Sequence, residues 1–470
     1  MITINVLGID YGASNGRAIV GKFDGKRLVT EEVHKFPNVH VTTNTGMYWN
    51  IMGLFQELNN ALAKTTSLSI PISSIGIDSW GVDFGLLDKQ GNLLGNPRHY
   101  GDSRTDNIMS KVESIHTKQE LFNKSGMTPH NRLTLAQLFS MKQREKAILE
   151  NAHTLQFISG LLNYFLTGNI SCDTTQASVS MLYSPVTNGW IYDFIEDYDL
   201  PDIFPPFNKI GTTVGKVLKC HSESTGVGQV PVILVAGHDT ASAITAVPKQ
   251  KSSEVCISSG TWSVVGTTIN SPLINDEVLK SQFNNEAGYE GTMLVKNITG
   301  LWILQKCMRE WQKKGITTDY SSLINYAVNS NFESYIDNDC AEFVKSGDTT
   351  RKIIEYCEET KQKAPQNREE VYMCIINGIA RKYKQAINET QFLTGEDFNT
   401  IHMVGGGSRD KYLCKTTAKL ANMKVIAGPY EATAVGNIVT QLISLGEIKN
   451  REEAMQIICD SFPLDSYNLE

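Results

Sequence analysis

Residues 231–266 constrain this chain more than any other stretch. An apolar, β-branched run, Val232-Ile233-Leu234-Val235-Ala236, delivers Gly237-His238-Asp239-Thr240-Ala241-Ser242-Ala243, and a second small-residue turn, Ser258-Ser259-Gly260-Thr261-Trp262, follows. The run has the length of a buried strand and the small residues suit a helix start, so Asp239 falls where strand gives way to helix. Amide groups at a helix start favour the charged form of aspartate. Asp239 is therefore expected to stay ionised and to be able to accept a proton from an attacking hydroxyl. The competing reading is a plain helix N-cap, for which aspartate is a preferred residue.

At 470 residues the chain is long enough for two or three domains with sizeable cores. A hydrophobic content of 41%, a charged content of 20% and a net charge of −7 describe an ordinary globular protein. The acidic balance, without a long basic run, argues against nucleic acid and for small-molecule partners. No apolar run is long enough to span a bilayer, and the N-terminus reaches Asp10 without a basic leader, so a cytoplasmic protein without a membrane partner is expected. Monomer and homodimer both remain open. The nine cysteines lack paired metal spacing and read as buried or incidental thiols, although Cys357 and Cys374 flank a charged segment and could pair if oxidised.

The opening residues read as a meander: Val6–Asp10, a glycine turn, Arg17–Phe23, a second turn, Leu28–Val33. A similar pattern returns at Glu254–Ser258 and Trp262–Thr267, which suggests an internal duplication joined near 244–252. Helices are expected around Trp49–Ala63, over 132–166, over Val371–Phe392, from about Asp410, and finally from Glu431. Strands are expected at Ile75–Ile77, Thr400–Val404 and Lys424–Ala427. Residues 312–370 are charged and weakly patterned, as a lid or exposed insert would be.

Three further segments carry chemistry. In Asp10-Tyr11-Gly12-Ala13-Ser14-Asn15-Gly16-Arg17 an acidic residue precedes small residues whose N–H groups can turn toward phosphate oxygens, and a plain glycine hairpin is the alternative. Gly405-Gly406-Gly407-Ser408 lies between strand and helix and admits a purine face or an α-phosphate; tight packing explains one such glycine more readily than three. Asp78-Ser79-Trp80-Gly81-Val82-Asp83 offers two carboxylates, an indole and bare backbone, a mixture suited to a sugar, with a buried tryptophan and a capping aspartate as the structural account. Asp102 and Arg104 read as a surface ion pair.

With these motifs in order along nearly the whole chain, the sequence resembles the FGGY carbohydrate kinases of the actin/hexokinase/Hsp70 superfamily. Asp10–Arg17 matches the first phosphate motif, Gly237–Ala243 with Gly260 and Thr261 the second, and Val404–Ser408 the adenosine motif. Gly428–Asn437 matches the C-terminal signature, and Asp173–Ser178 with Trp190 a further family pattern. Finer features, Ile77–Phe84, Gly237–Ser242 and Asn297–Trp302 with Gln305, look most like members acting on L-rhamnulose. One departure stands out: Gly101 occupies the place of an arginine in Tyr100-Gly101-Asp102-Ser103-Arg104.

The resemblance implies two α/β domains of the ribonuclease H-like type flanking a cleft. Residues 1–246 would be mainly sugar-binding and 247–470 mainly nucleotide-binding. It implies phosphoryl transfer from ATP, with Mg²⁺, to the 1-hydroxyl of L-rhamnulose, with Asp239 as proton acceptor and Asp10 and Asp239 near the metal. Gly12, Ala13, Ser14, Asn15, Arg17, Gly260, Thr261, Gln305, Gly405, Gly406, Gly407 and Ser408 would face ATP. Trp80, Gly81, Asp83, Gly237, His238 and Asn297 would face the sugar. A family member acting on fuculose or xylulose, or a nucleotide-dependent switch of the superfamily, would use the same machinery.

Overall fold

The opening meander folds as its alternation dictates. In the computed structural model, which describes residues 3–248, 254–345 and 347–468, β1 (Ile4–Tyr11), β2 (Asn15–Phe23) and β3 (Leu28–Pro37) pair antiparallel. After helix α1 (Ile51–Ser67), capped by Asn50, strand β4 (Ser74–Ser79) lies parallel to β1. Strands β5 (Thr213–Lys216) and β6 (Pro231–Ile233) complete a six-stranded sheet of order β5-β6-β4-β1-β2-β3. Strand β1 is buried after its first residue, as a central strand covered on both faces must be. Helix α2 (Asp239–Thr245) follows β6.

A second sheet repeats this plan. Strands β7 (Glu254–Ser259) and β8 (Trp262–Ile269) pair antiparallel and β9 (Thr292–Thr299) lies beyond β8. Helices α3 (Trp302–Lys313) and α4 (Arg368–Thr394) precede β10 (Thr400–Val404), which is parallel to β7. Helix α5 (Lys411–Ala421) leads to β11 (Lys424–Ala427), parallel to β10. Helix α6 (Ala432–Ser444) comes next, and β12 (Asp465–Tyr467) ends the chain's strands on the far side of β11. The order β9-β8-β7-β10-β11 matches β3-β2-β1-β4-β6, and in both an antiparallel pair (β8–β7, β2–β1) is followed by two parallel strands, as a duplicated unit requires. The joint expected near 244–252 lies partly outside the described residues.

The compact units divide at 246, but their later boundaries are not contiguous. Thr268–Leu294 and Ala432–Ser461 pack with the first unit; Val295–Glu431 and the residues from Phe462 belong with the second. Helix α6 returns to the first unit because its small face fits there. Gly8 and Gly76 leave room for Asn437, and Gly436 lets α6 cross α2 with no side chain between them.

Four expectations need correction. The apolar run 232–236 is strand only to Ile233. Residues 132–166 are not one helix: helices Thr134–Arg144, Lys146–Asn151 and Ile158–Thr167 are interrupted by strand Thr154–Phe157, which pairs with Phe84–Leu87. Residues 312–370 are no exposed insert, because Leu323, Phe332, Ile336, Phe343, Ile353 and Cys357 are buried in the second unit's core against α4. A further helix, Arg451–Ser461, follows α6. The Cys357 and Cys374 thiols meet in that core with sulfurs 3.8 Å apart. Among the described residues no helix is long and apolar enough to cross a membrane.

Candidate active site

Parallel strand ends place the acidic residues of the first unit side by side. Asp10 is the penultimate residue of β1 and the register partner of Asp78 on β4. His238, just beyond β6, bridges to Ser79, and Ser79 N–H donates to the Gly237 carbonyl at 2.8 Å. Asp239, the first residue of α2, is thereby brought close enough for its charge to bear on Asp78. Burial pushes the Asp78 carboxyl well above the carboxylate range, and Asp10 beside it adds to the rise. Asn437 of α6 donates to Asp78 Oδ2 at 2.6 Å. Arg17 faces Asp10 across the hairpin, Nε to Oδ2 4.0 Å.

Asp239 is not the helix cap. The capping position is His238, and among the described residues the Asp239 carboxylate accepts only from the adjacent Thr240, whose N–H is 2.6 Å and hydroxyl 3.3 Å from Oδ1. The expectation that helix amides hold it low is also overturned: burial pushes the carboxyl up to about 6. Its side chain keeps 30% exposure, so solvent moderates that rise. A carboxyl in this range is a competent proton acceptor near neutral pH.

The Gly12 turn is tighter than a bare anion nest. Gly12 N–H donates to Asn15 O at 3.0 Å, and Asn38 donates to Gly12 O at 2.9 Å. Ser14 and Asn15 are exposed at this turn.

The sugar candidates divide into residues that face outward and residues that hold them. Asp83 is fully buried. Its Oδ2 accepts from Trp49 Nε1 (2.6 Å), Trp80 Nε1 (3.1 Å) and Tyr100 N (3.2 Å), and its Oδ1 from Gln137 Nε2 (2.9 Å). Burial raises its carboxyl to about 6 against those hydrogen bonds. Asp83 thus positions two indoles and the Tyr100 backbone. Val82 carries φ +70°, costly for a β-branched residue, and is pinned by Thr134 Oγ1 on its carbonyl at 2.8 Å. Gly237 is buried with both backbone groups engaged, its N–H by Asp173 and its carbonyl by Ser79 and Gln176. A Cβ there would strike Asp173. Asp173 and Gln176 of the family pattern therefore clamp the loop that leads to Asp239.

Arg104 is buried rather than half of a surface pair, its Nη2 donating to Gln137 Oε1 at 2.6 Å. The Gly101 departure has a local answer. Gly101 N–H donates to His99 Nδ1 at 2.8 Å, and a Cβ at 101 would come within 3.0 Å of that ring. His99 packs between Trp49 and Tyr100, centroids 4.3 and 4.4 Å away, so it occupies the space next to the missing side chain.

The second unit carries the remaining candidates. Gly260 and Thr261 form the β7–β8 turn, and the Gly260 carbonyl accepts from Leu301 N–H at 2.9 Å. Gln305 on α3 reaches Thr261 Oγ1 at 3.2 Å. Of the three glycines, Gly405 has φ +82° with its Cβ position against Ser259 O, and Gly407 abuts Ser259 Oγ. Gly406 alone faces open space, so packing explains two of the three. Ser408 is buried with its hydroxyl on the Gly405 carbonyl at 2.6 Å, which makes it a brace for the turn. Asn297 is exposed on β9.

Two family models cover most of the chain. The N-terminal domain of the FGGY family of carbohydrate kinases matches residues 5–246 and its C-terminal domain residues 255–445. The chain belongs to this family of carbohydrate kinases. It is 36% identical to a protein named Rhamnulokinase from Bacteroides thetaiotaomicron, covering 99% of this chain and 96% of that protein. It is 35% identical to another of that name from Oceanobacillus iheyensis, covering 98% of this chain and 97% of that one. In fold it matches a ligand-bound xylulose kinase from Lactobacillus acidophilus (TM-score 0.79, 15% identity, 99% of this chain and 94% of that one). It also matches Plasmodium falciparum glycerol kinase with ADP (TM-score 0.78, 14% identity, 100% and 95%). These likenesses establish the two-domain fold of the actin/hexokinase type.

Proposed function

We propose that this kinase transfers the γ-phosphoryl group of ATP to the 1-hydroxyl of L-rhamnulose, giving L-rhamnulose 1-phosphate and ADP. The observation that carries the substrate is similarity over nearly the full chain to proteins named Rhamnulokinase. Asp239 accepts the hydroxyl proton as the oxygen attacks. Most of the acceleration in such transfers comes from positioning and charge stabilisation. Trp80, Gly81 and His238 face the sugar, with Asp83 holding Trp80 in place; Asn297 is kept as a further candidate for sugar contact. Ala13, Ser14, Asn15 and Thr261 offer N–H or hydroxyl donors to phosphate, and the open Gly406 admits the nucleotide.

Among the described residues no group of three or more His, Cys, Asp or Glu side chains forms a ready metal cage. Mg²⁺ is commonly held by one or two carboxylates together with substrate phosphates, and Asp10 and Asp239 supply oxygen donors of that kind. The chemistry supplied with bound Mg²⁺ is neutralisation of charge on the β- and γ-phosphate oxygens. A cytoplasmic location, where ATP is at hand, accords with this reading.

A control without sugar separates a kinase from a nucleotide-driven switch. Purified protein with Mg·ATP is expected to release ADP at least 100-fold faster with L-rhamnulose than without it. Equal rates with and without ketose would refute the kinase mechanism proposed here.

A further inference from the structure

Glu286 belongs to no motif, yet it lies beside the proposed base. It sits on the strand Asn284–Ala287 with its side chain only 3% exposed. Its neighbours fix the strand: Ala287 N–H donates to Ser178 Oγ at 2.9 Å, and Asn285 Oδ1 accepts from Leu273 N–H at 2.7 Å. Among the described residues Glu286 Oε2 has no hydrogen-bond partner, and neither does His238 Nδ1, which faces it at 3.6 Å. That separation is too long for a hydrogen bond between them. On its far side the same imidazole approaches the base, Nε2 to Asp239 Oδ1 3.5 Å.

A buried carboxyl oxygen and a buried ring nitrogen left facing each other without partners are costly unless a ligand satisfies them. A hydroxyl is donor and acceptor at once, so a single one can donate to the carboxylate and accept from the imidazole, or the reverse, according to the tautomer. The geometry points to Glu286, with His238 Nδ1, as the recognition pair for a second hydroxyl of the ketose, at C3 or C4, while O1 lies at Asp239. This rests on the ketose-kinase reading above. Asp239 and Glu286 lie at opposite nitrogens of one imidazole, so a ketose with O1 at Asp239 would present a hydroxyl further along its chain to Glu286. Glu286 would then decide which ketoses are held with O1 in line, and deoxygenation at one of those carbons would leave buried polar groups unpaired.

The test is a cycle crossing Glu286→Ala and Glu286→Gln with L-rhamnulose and its 3-deoxy and 4-deoxy analogues. It reads kcat/KM, with ADP binding and thermal melting alongside. With L-rhamnulose, Glu286→Ala is expected to lose about 10- to 100-fold in kcat/KM. Glu286→Gln, which keeps the size and one acceptor, should retain more. ADP affinity should stay within about twofold. One deoxy analogue should show a comparable loss with wild type and no further loss with Glu286→Ala, because the same contact is missing. Glu286→Ala within threefold of wild type, or variant and deoxy losses that multiply for both analogues, would overturn the assignment. If Glu286→Ala fails to fold, the isosteric Glu286→Gln carries the cycle. The wild-type ketose preference checks the substrate reading separately. Should another ketose be preferred, the cycle run on its own deoxy analogues still decides Glu286.

Discussion

Asp239→Asn is expected to lower kcat by about 10²–10⁴-fold while the protein still folds and binds ADP, because the amide keeps the shape but cannot take a proton. The structure sharpens this expectation. A capping aspartate would tolerate asparagine almost without cost, since asparagine caps as well. Here the capping position belongs to His238 and, among the described residues, Asp239 accepts only from its own neighbour Thr240, so the helix depends little on the carboxylate. Thermal melting should therefore move by no more than a few degrees. Steady-state kcat with saturating ketose, beside a melting curve and ADP titration, checks all three points. A variant that melts normally, binds ADP and turns over at near-native rate would remove Asp239 from the mechanism.

Gly436→Ala is expected to destabilise the first unit by about 3 kcal/mol or more, although alanine is by propensity the better helix former by roughly 1 kcal/mol. The sign reverses because a Cβ at 436 would be driven into the Ser242 carbonyl, a backbone atom that cannot turn aside. Helices α2 and α6 would have to separate. Asp239 opens α2, and Asn437, the next residue on α6, holds Asp78. Activity should therefore fall with stability. Chemical denaturation gives the free-energy change, and a variant more stable than wild type would show that the two helices do not cross this closely.

The local parts of this architecture were legible in the sequence. The meander, the Gly12 and Gly260 turns, the strand leading toward Asp239 and the strand–glycine–helix at Gly405 each depend on residues within about ten positions of one another. Duplication followed from seeing that pattern twice. What escaped depends on partners far along the chain. Asp78 read as half of a sugar motif; it lies beside Asp10 through strand pairing and is bonded by Asn437, 359 residues away. Glu286 carries no local signal, since only the fold brings it to His238. Residues 312–370 looked like a surface insert because their helices are short and the stretches between them are polar and charged, yet their apolar residues pack into the core against α4. The strand Thr154–Phe157 was hidden inside helical spacing because its pairing with Phe84–Leu87 outweighs local preference. Asp239 itself was legible, but the direction in which its acidity shifts was not, since burial depends on everything that packs around it.

The most direct test of the account is the ratio of kcat/KM values for L-rhamnulose, L-fuculose and xylulose, measured on the purified protein with saturating Mg·ATP. Specificity is that ratio rather than activity toward any one sugar. The account predicts that L-rhamnulose gives the highest value, by at least tenfold over the next ketose. A higher kcat/KM for L-fuculose or xylulose would contradict it.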